Sequence, residues 1–476
     1  MDTFMMRTVI AALLLAGAFC LAASESFAAP VTEAEAAAVA DMWFANELNA
    51  PFTKIDAGQK AAQLKAMAQR QVLFLVSATD LLEQPPAKGI VLAYVVKYKP
   101  AGYVVVSAED RIQPIIAFDV RSEFRWDEPA INFMPEYLGT TMTARWANMN
   151  RKAAEAGGDA AHPNWDLLRA KLQGQAQGPA PTGSKATAEL TPAGTTYVLW
   201  DTAVWGQGNH YNETCVSHNG GTDVPTGCTA TAMAILMRFF EWPVTGYSSH
   251  SYTDSWETVQ YSHSVNFGSH TYNWSAMPTA TLTVDNAHVA NLMYDCGVAV
   301  EMNYEPDGSG AWPSPSAMNT YFRYRGTVEK TSGHETPMRE CILSGVPVII
   351  SSNAHTVVAC GYRDTVAPYF YFNAGWNGGS SGWYNYDDIP GGDLIERSYP
   401  YSTPNNYVYV DAAWGGSENG SVSNPYDTAS EGNSAVPSGG HLMIKGGTYT
   451  GASNCPIVFS KAMEIKGYRG TVVIRK

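Results

Sequence analysis

The stretch Pro225–Pro243, PTGCTATAMAILMRFFEWP, sets Cys228 directly after a glycine and directly before a run of helix formers. Ala232, Ile235, Leu236 and Phe239 recur at i, i+3, i+4 and i+7, which marks one face of a helix, and Pro243 predicts its end. The helix is therefore expected to begin near Cys228. A thiol there meets the positive end of the helix dipole and unpaired main-chain N–H groups. Both favour the thiolate, which is the nucleophilic form. Gly227 leaves the approach to the sulfur open. A cysteine in such a place is still more often a buried structural thiol, so the rest of the chain has to supply a reason to read it as reactive.

A cysteine nucleophile needs a base. Of the 10 histidines, His355 stands out, in GVPVIISSNAHTVVACGYRD (residues 345–364). Two β-type runs flank Asn353 and Ala354, so His355 is expected at the start of a strand leaving a tight turn. It lies 127 residues beyond Cys228, near the roughly 130 of papain-type enzymes. A third group should orient the imidazole and fix its tautomer. PYFYFNAGWNGGSSGWYNYDD (368–388) offers Asn373 at the end of a strand, with Trp376 placed to shield the bond from water. Acyl transfer also needs donors for a developing oxyanion. The Cys228 N–H is one, and AVWGQGNHYN (203–212) supplies Gln207 as the other. Taken singly, these are a strand histidine, a turn asparagine and a loop glutamine.

Their order along the chain, Gln207, Cys228, His355, Asn373, is that of a papain-like site. WGQGNHYN, GCTATAMAILMRFFEWP, HTVVACGY and FNAGWNGGSSGWYNYDD together resemble the streptopain family of cysteine peptidases, with related patterns W-x-Q-x-x-x-Y-N, G-C-x-A-T-A, H-x-x-V-x-x-G and N-x-G-W-x-G. The segment AYVVKYKPAGYVVVSAEDRIQPIIAFD (93–119) looks like that family's inhibitory propeptide, and the resemblance covers about Val31 to Asn405. Two positions depart from the family pattern: Ala354 before the histidine and Ala374 after the asparagine.

The resemblance implies an α+β chain. A papain-like cysteine peptidase domain is preceded by an α+β propeptide and followed by a short all-β segment. It implies Cys228 as nucleophile, His355 as general base and acid, Asn373 orienting the histidine, and Gln207 in the oxyanion hole, supported by Trp376 and Gly227. The implied partners are protein or peptide substrates, with the chain's own propeptide as intramolecular inhibitor. No cofactor is called for, and no His/Cys/Asp cluster has metal-ligand spacing.

Composition agrees with an exported, multi-domain chain. A length of 476 residues suggests about two to four domains. With 30 Lys and Arg against 44 Asp and Glu, the net charge is −14 and no basic cluster occurs, which argues against a nucleic-acid partner. Arg7, the apolar run VIAALLLAGAFCLAA and the small-residue site before Ala29 predict a signal peptide over 1–28, and hence secretion. Six cysteines follow Cys20, which permits disulfides but is too sparse for a disulfide scaffold.

The expected organisation is a propeptide over 29–171, opening with the helix of TEAEAAAVADMWFANEL. A Gly/Pro/Gln-rich linker over 172–194 should hold the activation cleavage. The peptidase domain is expected over 195–405 and an all-β segment over 406–476. The last resembles the opening coils of a right-handed parallel β-helix, which makes a polysaccharide or cell surface a further candidate partner. The rival reading is a catalytically weak or inactive homologue acting as a surface or carbohydrate-binding protein. The joint presence of Cys228 and His355 weighs against it.

Overall fold

The computed structural model describes residues 30–50, 53, 55–76, 90–125, 138–139, 141–147, 149, 161–174, 196–215, 223–325, 329–330, 335–352, 355–364, 368–386, 395–399 and 403–475. The expected signal peptide, the linker from residue 175 to 194 and Ala354 lie outside these residues. The chain divides into two compact units. The first comprises Met1–Thr196, Arg363–Phe372 and Gly379–Leu394, and the second Tyr197–Tyr362, Asn373–Gly378 and Ile395–Lys476. These units are interleaved, whereas composition suggests contiguous blocks.

The first unit is an antiparallel sheet with helices. The opening helix is Glu33–Leu48, started by Thr32, whose hydroxyl accepts from the Glu35 N–H at 3.2 Å, with Glu33 and Glu35 in the first turn where the dipole favours acid. Its Val39, Trp43 and Phe44 are buried. The expected hairpin forms: Val91–Lys97 and Tyr103–Ser107 pair across Lys99–Gly102. Gly102 sits at φ 108, where an added Cβ would lie 2.3 Å from the Phe44 ring. Only glycine fits there. The sheet runs in the order Gln71–Val76, Val91–Lys97, Tyr103–Ser107, Ile115–Asp119, Gly382–Asn385, Tyr369–Asn373. Trp383 pairs with Phe118 and Tyr384 with Ala117, so two strands from late in the chain complete a sheet begun near its start. This long-range pairing is what breaks the contiguous order. Helix Pro163–Leu172 closes the unit, with Pro163 in its first turn and Trp165 buried.

In the second unit, helix Cys228–Phe240 starts where the sequence predicts and ends at Glu241, in the left-handed conformation at φ 49, ahead of Pro243. It is buried over nearly its whole circumference. Thr229 to Met237 are all buried, while Phe239, expected on the core face, is partly exposed. Its partners include helix Ala287–Ala299, which Asn286 caps by accepting from the His288 and Val289 N–H groups. Strand Val348–Ser352 pairs antiparallel with Thr356–Arg363, joining Ser351 to Thr356. Toward the C-terminus, Tyr407–Val410, Gly440–Tyr449 and Met463–Ile474 form a parallel three-stranded sheet over a core of Val408, Val410, Val436, Leu442, Ile444 and Tyr449.

Candidate active site

Every predicted site residue falls in the second unit. Gly227 caps the helix at φ 86 and ψ 143, so Cys228 is its first residue. A Cβ on Gly227 would lie 2.5 Å from Met302 Sδ, which fixes glycine there on two counts. The approach to the helix is pinned from both sides. The Ser309 hydroxyl donates to the Pro225 carbonyl at 2.6 Å, and the Thr226 N–H donates to the Gln207 carbonyl at 2.9 Å.

His355 is buried and stands one residue before strand Thr356–Arg363. Its Nε2 lies 2.9 Å from the Ala374 carbonyl. A carbonyl only accepts, so this nitrogen carries the hydrogen and Nδ1 is left for the thiol. Trp376 stacks on the imidazole, with ring centroids 5.3 Å apart and planes 11° apart.

The Asn373 amide is placed differently from expectation. Its Nδ2 donates to the Ala203 carbonyl at 2.8 Å, and its Oδ1 accepts from the Gly375 N–H at 3.2 Å. The orienting contact expected of this side chain is made one residue later, by the main chain of Ala374. Asn373 instead fixes the turn that carries that carbonyl. Gly375 makes the turn possible at φ 71.

Burial alone would raise the Cys228 thiol. The charge of His355, its hydrogen bond and further hydrogen bonds from Thr356 outweigh burial and lower the thiol from 9.0 to about 7. The other cysteines supply the contrast. None of the six described cysteines is in a disulfide. Burial pushes Cys215 up to about 12 and raises Cys296 well above its ordinary value. A cysteine held as a structural thiol looks like these two, and Cys228, half-buried at a helix start beside an imidazole, does not.

Gln207 is buried, and its Nε2 is a buried donor with no hydrogen-bond partner among the described residues. Such orphans are rare and call for an explanation. The loop holding it is tied down at Trp205 and Gly206. The Asn377 N–H donates to the Trp205 carbonyl at 3.0 Å, and a Cβ on Gly206 would lie 2.7 Å from Asn377 Oδ1.

Two residues that the sequence reading missed join the nucleophile's helix to the histidine's strand. Thr229 follows Cys228 and Thr356 follows His355, and their hydroxyls lie 2.9 Å apart. Thr356 Oγ1 is also 2.8 Å from Ser351 Oγ, and Thr229 donates to the Ala311 carbonyl at 2.6 Å. A signal was available, since a polar β-branched residue in the first turn of a fully buried helix must find a partner. Among the described residues two groupings, His210–Glu213–Asp285 and Glu418–Asp427–Glu431, bring three ligand-type groups within 4.8 Å of one another, and neither includes a predicted site residue.

The site thus places a thiol at a helix start beside an imidazole held on a main-chain carbonyl, with the amide of Gln207 on the loop that leads to that helix. Residues 205–384 match the model of the Peptidase C10 family, and residues 28–138 match that of the Spi protease inhibitor. Residues 205–384 thus resemble a cysteine-type peptidase domain of the C10 family, and residues 28–138 ahead of them resemble a Spi-type inhibitor. The thiol protease/hemagglutinin PrtT of Porphyromonas gingivalis is 29% identical over 199 residues, 38% of this chain and 23% of that protein. Streptopain of Streptococcus pyogenes is 25% identical over 192 residues, 36% of this chain and 47% of that protein. The chain thus spans less than half the length of these curated relatives. Among solved structures, a fragment of prointerpain A from Prevotella intermedia is 24% identical, covering 66% of this chain and 96% of that one at a TM-score of 0.48. Active interpain A of the same organism is 27% identical, covering 46% and 96% at a TM-score of 0.37.

Proposed function

We propose that this chain is an exported cysteine endopeptidase made as a zymogen. The observation that carries the reading is Cys228 at the first position of its helix, its thiol lowered to about 7 by an imidazole whose other nitrogen is fixed on the Ala374 carbonyl. His355 Nδ1 takes the proton of Cys228. The thiolate attacks the substrate carbonyl carbon, and the oxyanion is met by the Cys228 N–H and by Gln207 Nε2, the donor left unpartnered in the free site. The imidazolium gives its proton to the leaving amine, and a thioester to Cys228 remains. Water, deprotonated by His355, then attacks the thioester, releasing the acid and restoring the thiol. Asn373 supports His355 through the turn it ties to Ala203, and Trp376 covers the imidazole.

The match to a Spi inhibitor model supports intramolecular inhibition by the segment ahead of the linker, and activation by cleavage between residues 172 and 194. The apolar run over residues 9–23 supports export. The three parallel strands after Asn405 support the reading of that segment as the start of a parallel β-helix, with a polysaccharide or cell surface as its partner.

The test is expression of residues 30–476 beside Cys228→Ala. The expected result is self-processing and casein cleavage by the wild type only, with a thiol-directed covalent inhibitor labelling Cys228. A wild type that neither processes itself, nor cleaves casein, nor takes the label overturns the reading.

A further inference from the structure

In the first unit, strands from the peptidase-matching part of the chain are built into the segment that should be discarded on activation. The edge of strand Gly382–Asn385 is hydrogen-bonded to Ile115–Asp119. Around that seam the polar groups of the late strands find their partners in the early segment. The Tyr384 hydroxyl lies 2.8 Å from that of Tyr103, which also donates to the Ser381 carbonyl at 3.1 Å. Tyr369 donates to the Ile115 carbonyl at 2.8 Å. Arg145 reaches both oxygens of Asn385 at 3.0 Å. A Cβ on Gly382 would lie 2.3 Å from the Tyr103 hydroxyl, so the two pieces approach as closely as glycine allows.

One tie is ionic. Arg363 and Glu47 are each buried, at 1% and 2% relative exposure, and pair in a two-pronged contact at 2.9 and 3.0 Å. Arg363 also lies over the rings of Phe118 and Trp383, at 5.0 and 4.6 Å. Removing one partner of such a pair leaves a buried charge uncompensated, which is strongly unfavourable. The helix Pro163–Leu172, just ahead of the linker, is anchored on the same segment. Arg169 pairs with Glu35 at 2.7 Å and Asp110 at 3.0 Å, and Trp165 donates to the Ile112 carbonyl at 3.0 Å. None of these contacts runs through the linker.

We infer that a cut between residues 172 and 194 does not release the N-terminal segment: Pro30–Leu172 stays bound as a non-covalent subunit on Arg363–Phe372 and Gly379–Tyr386, held by the Glu47–Arg363 pair and the strand seam. Its departure requires further cleavage within the segment itself. The activation cut is then a first step that changes connectivity without changing composition.

The test is a recognition site for an unrelated protease inserted within residues 178–190 of the Cys228→Ala chain. That background prevents self-processing, so the outcome does not depend on the peptidase reading. After complete cutting, size-exclusion chromatography and native mass spectrometry should show both fragments in one particle after 100-fold dilution into the micromolar range. Separation of the fragments on cutting overturns the inference. A second variant adds Glu47→Ala. Uncut, it should stay folded by circular dichroism, because the linker keeps the pieces at high effective concentration. Cut, it should lose its N-terminal fragment on the column. If the uncut variant fails to fold, the cut parent is tested in rising salt: retention at about 1 M, where exposed pairs are screened, is expected of a buried pair, and release at low salt overturns the inference. Retention by cut Glu47→Ala as firm as in the parent overturns the role given to the pair.

Discussion

Replacing His355 by alanine removes the group that does most to hold Cys228 as a thiolate. In the wild type the thiol titrates at about 7 and is half ionised at pH 7, whereas an ordinary thiol at 9.0 is about 1% ionised there. Without the imidazole, the burial that His355 had outweighed pushes the thiol back to 9.0 or beyond. Ionisation at pH 7 then falls about 50-fold. Thiolates of higher pKa are more nucleophilic, however, with a Brønsted coefficient of about 0.4–0.5, which returns a factor of roughly 6–10 over a change of this size. The net loss of alkylation rate at pH 7 is therefore only about 5–8-fold, and a single-pH rate is a poor test. The full profile is a good one. Iodoacetamide alkylation of Cys228, followed by peptide mass spectrometry from pH 5 to 10.5, should give a wild-type midpoint near 7 and a variant midpoint at 9 or above. The curves should cross, with the variant faster at the alkaline end. A wild-type midpoint near 9, or a variant midpoint still near 7, would refute the assignment of His355 as the base that ionises Cys228.

Three other outcomes follow from the same geometry. Gln207→Ala should lower kcat on a peptide substrate by about 10²–10³, the usual cost of one oxyanion donor, while leaving the alkylation midpoint near 7; a moved midpoint would mean the loop acts on the thiol instead. Thr229→Val breaks the hydroxyl contact between the helix and the histidine's strand and leaves the Ala311 carbonyl short of a donor. Urea denaturation should show a loss of about 1–3 kcal/mol. Gly227→Ala forces a Cβ into a left-handed position against Met302 and should destabilise by more than about 1 kcal/mol in the same assay.

The parts legible in the sequence are those written locally. The period of Ala232, Ile235 and Leu236 after a glycine placed Cys228 at a helix start, and two β-type runs placed His355 at the mouth of a strand. What stayed hidden is of three kinds. The Ala374 contact is made by main chain, which has no side-chain signature. The Asn373 amide turned to Ala203, a partner 170 residues away that no local pattern discloses. The seam between Ile115–Asp119 and Gly382–Asn385 is equally silent, because each strand reads only as a strand and pairing partners are chosen by the tertiary fold. Phe239 shows the limit of a periodic reading: in a helix wrapped on nearly all sides, the apolar stripe no longer separates inside from outside.

The six described cysteines also bear on how the molecule meets oxidants. Peroxide is attacked by thiolate, so the sulfur it reaches first is the one that is ionised and accessible. Cys215, Cys296, Cys341 and Cys360 are buried, and Cys215 and Cys296 are held as thiols by that burial. Cys228 and Cys455 are partly exposed, and Cys228, its thiol lowered to about 7 by His355, is open to reaction with peroxide, becoming a sulfenic acid as the peroxide O–O bond breaks and water leaves. No disulfide is broken by this among the described residues, and a reductant returns the thiol. The depressed pKa that arms the nucleophile thus also makes it a fuse, one that fails before the structure does and can be reset.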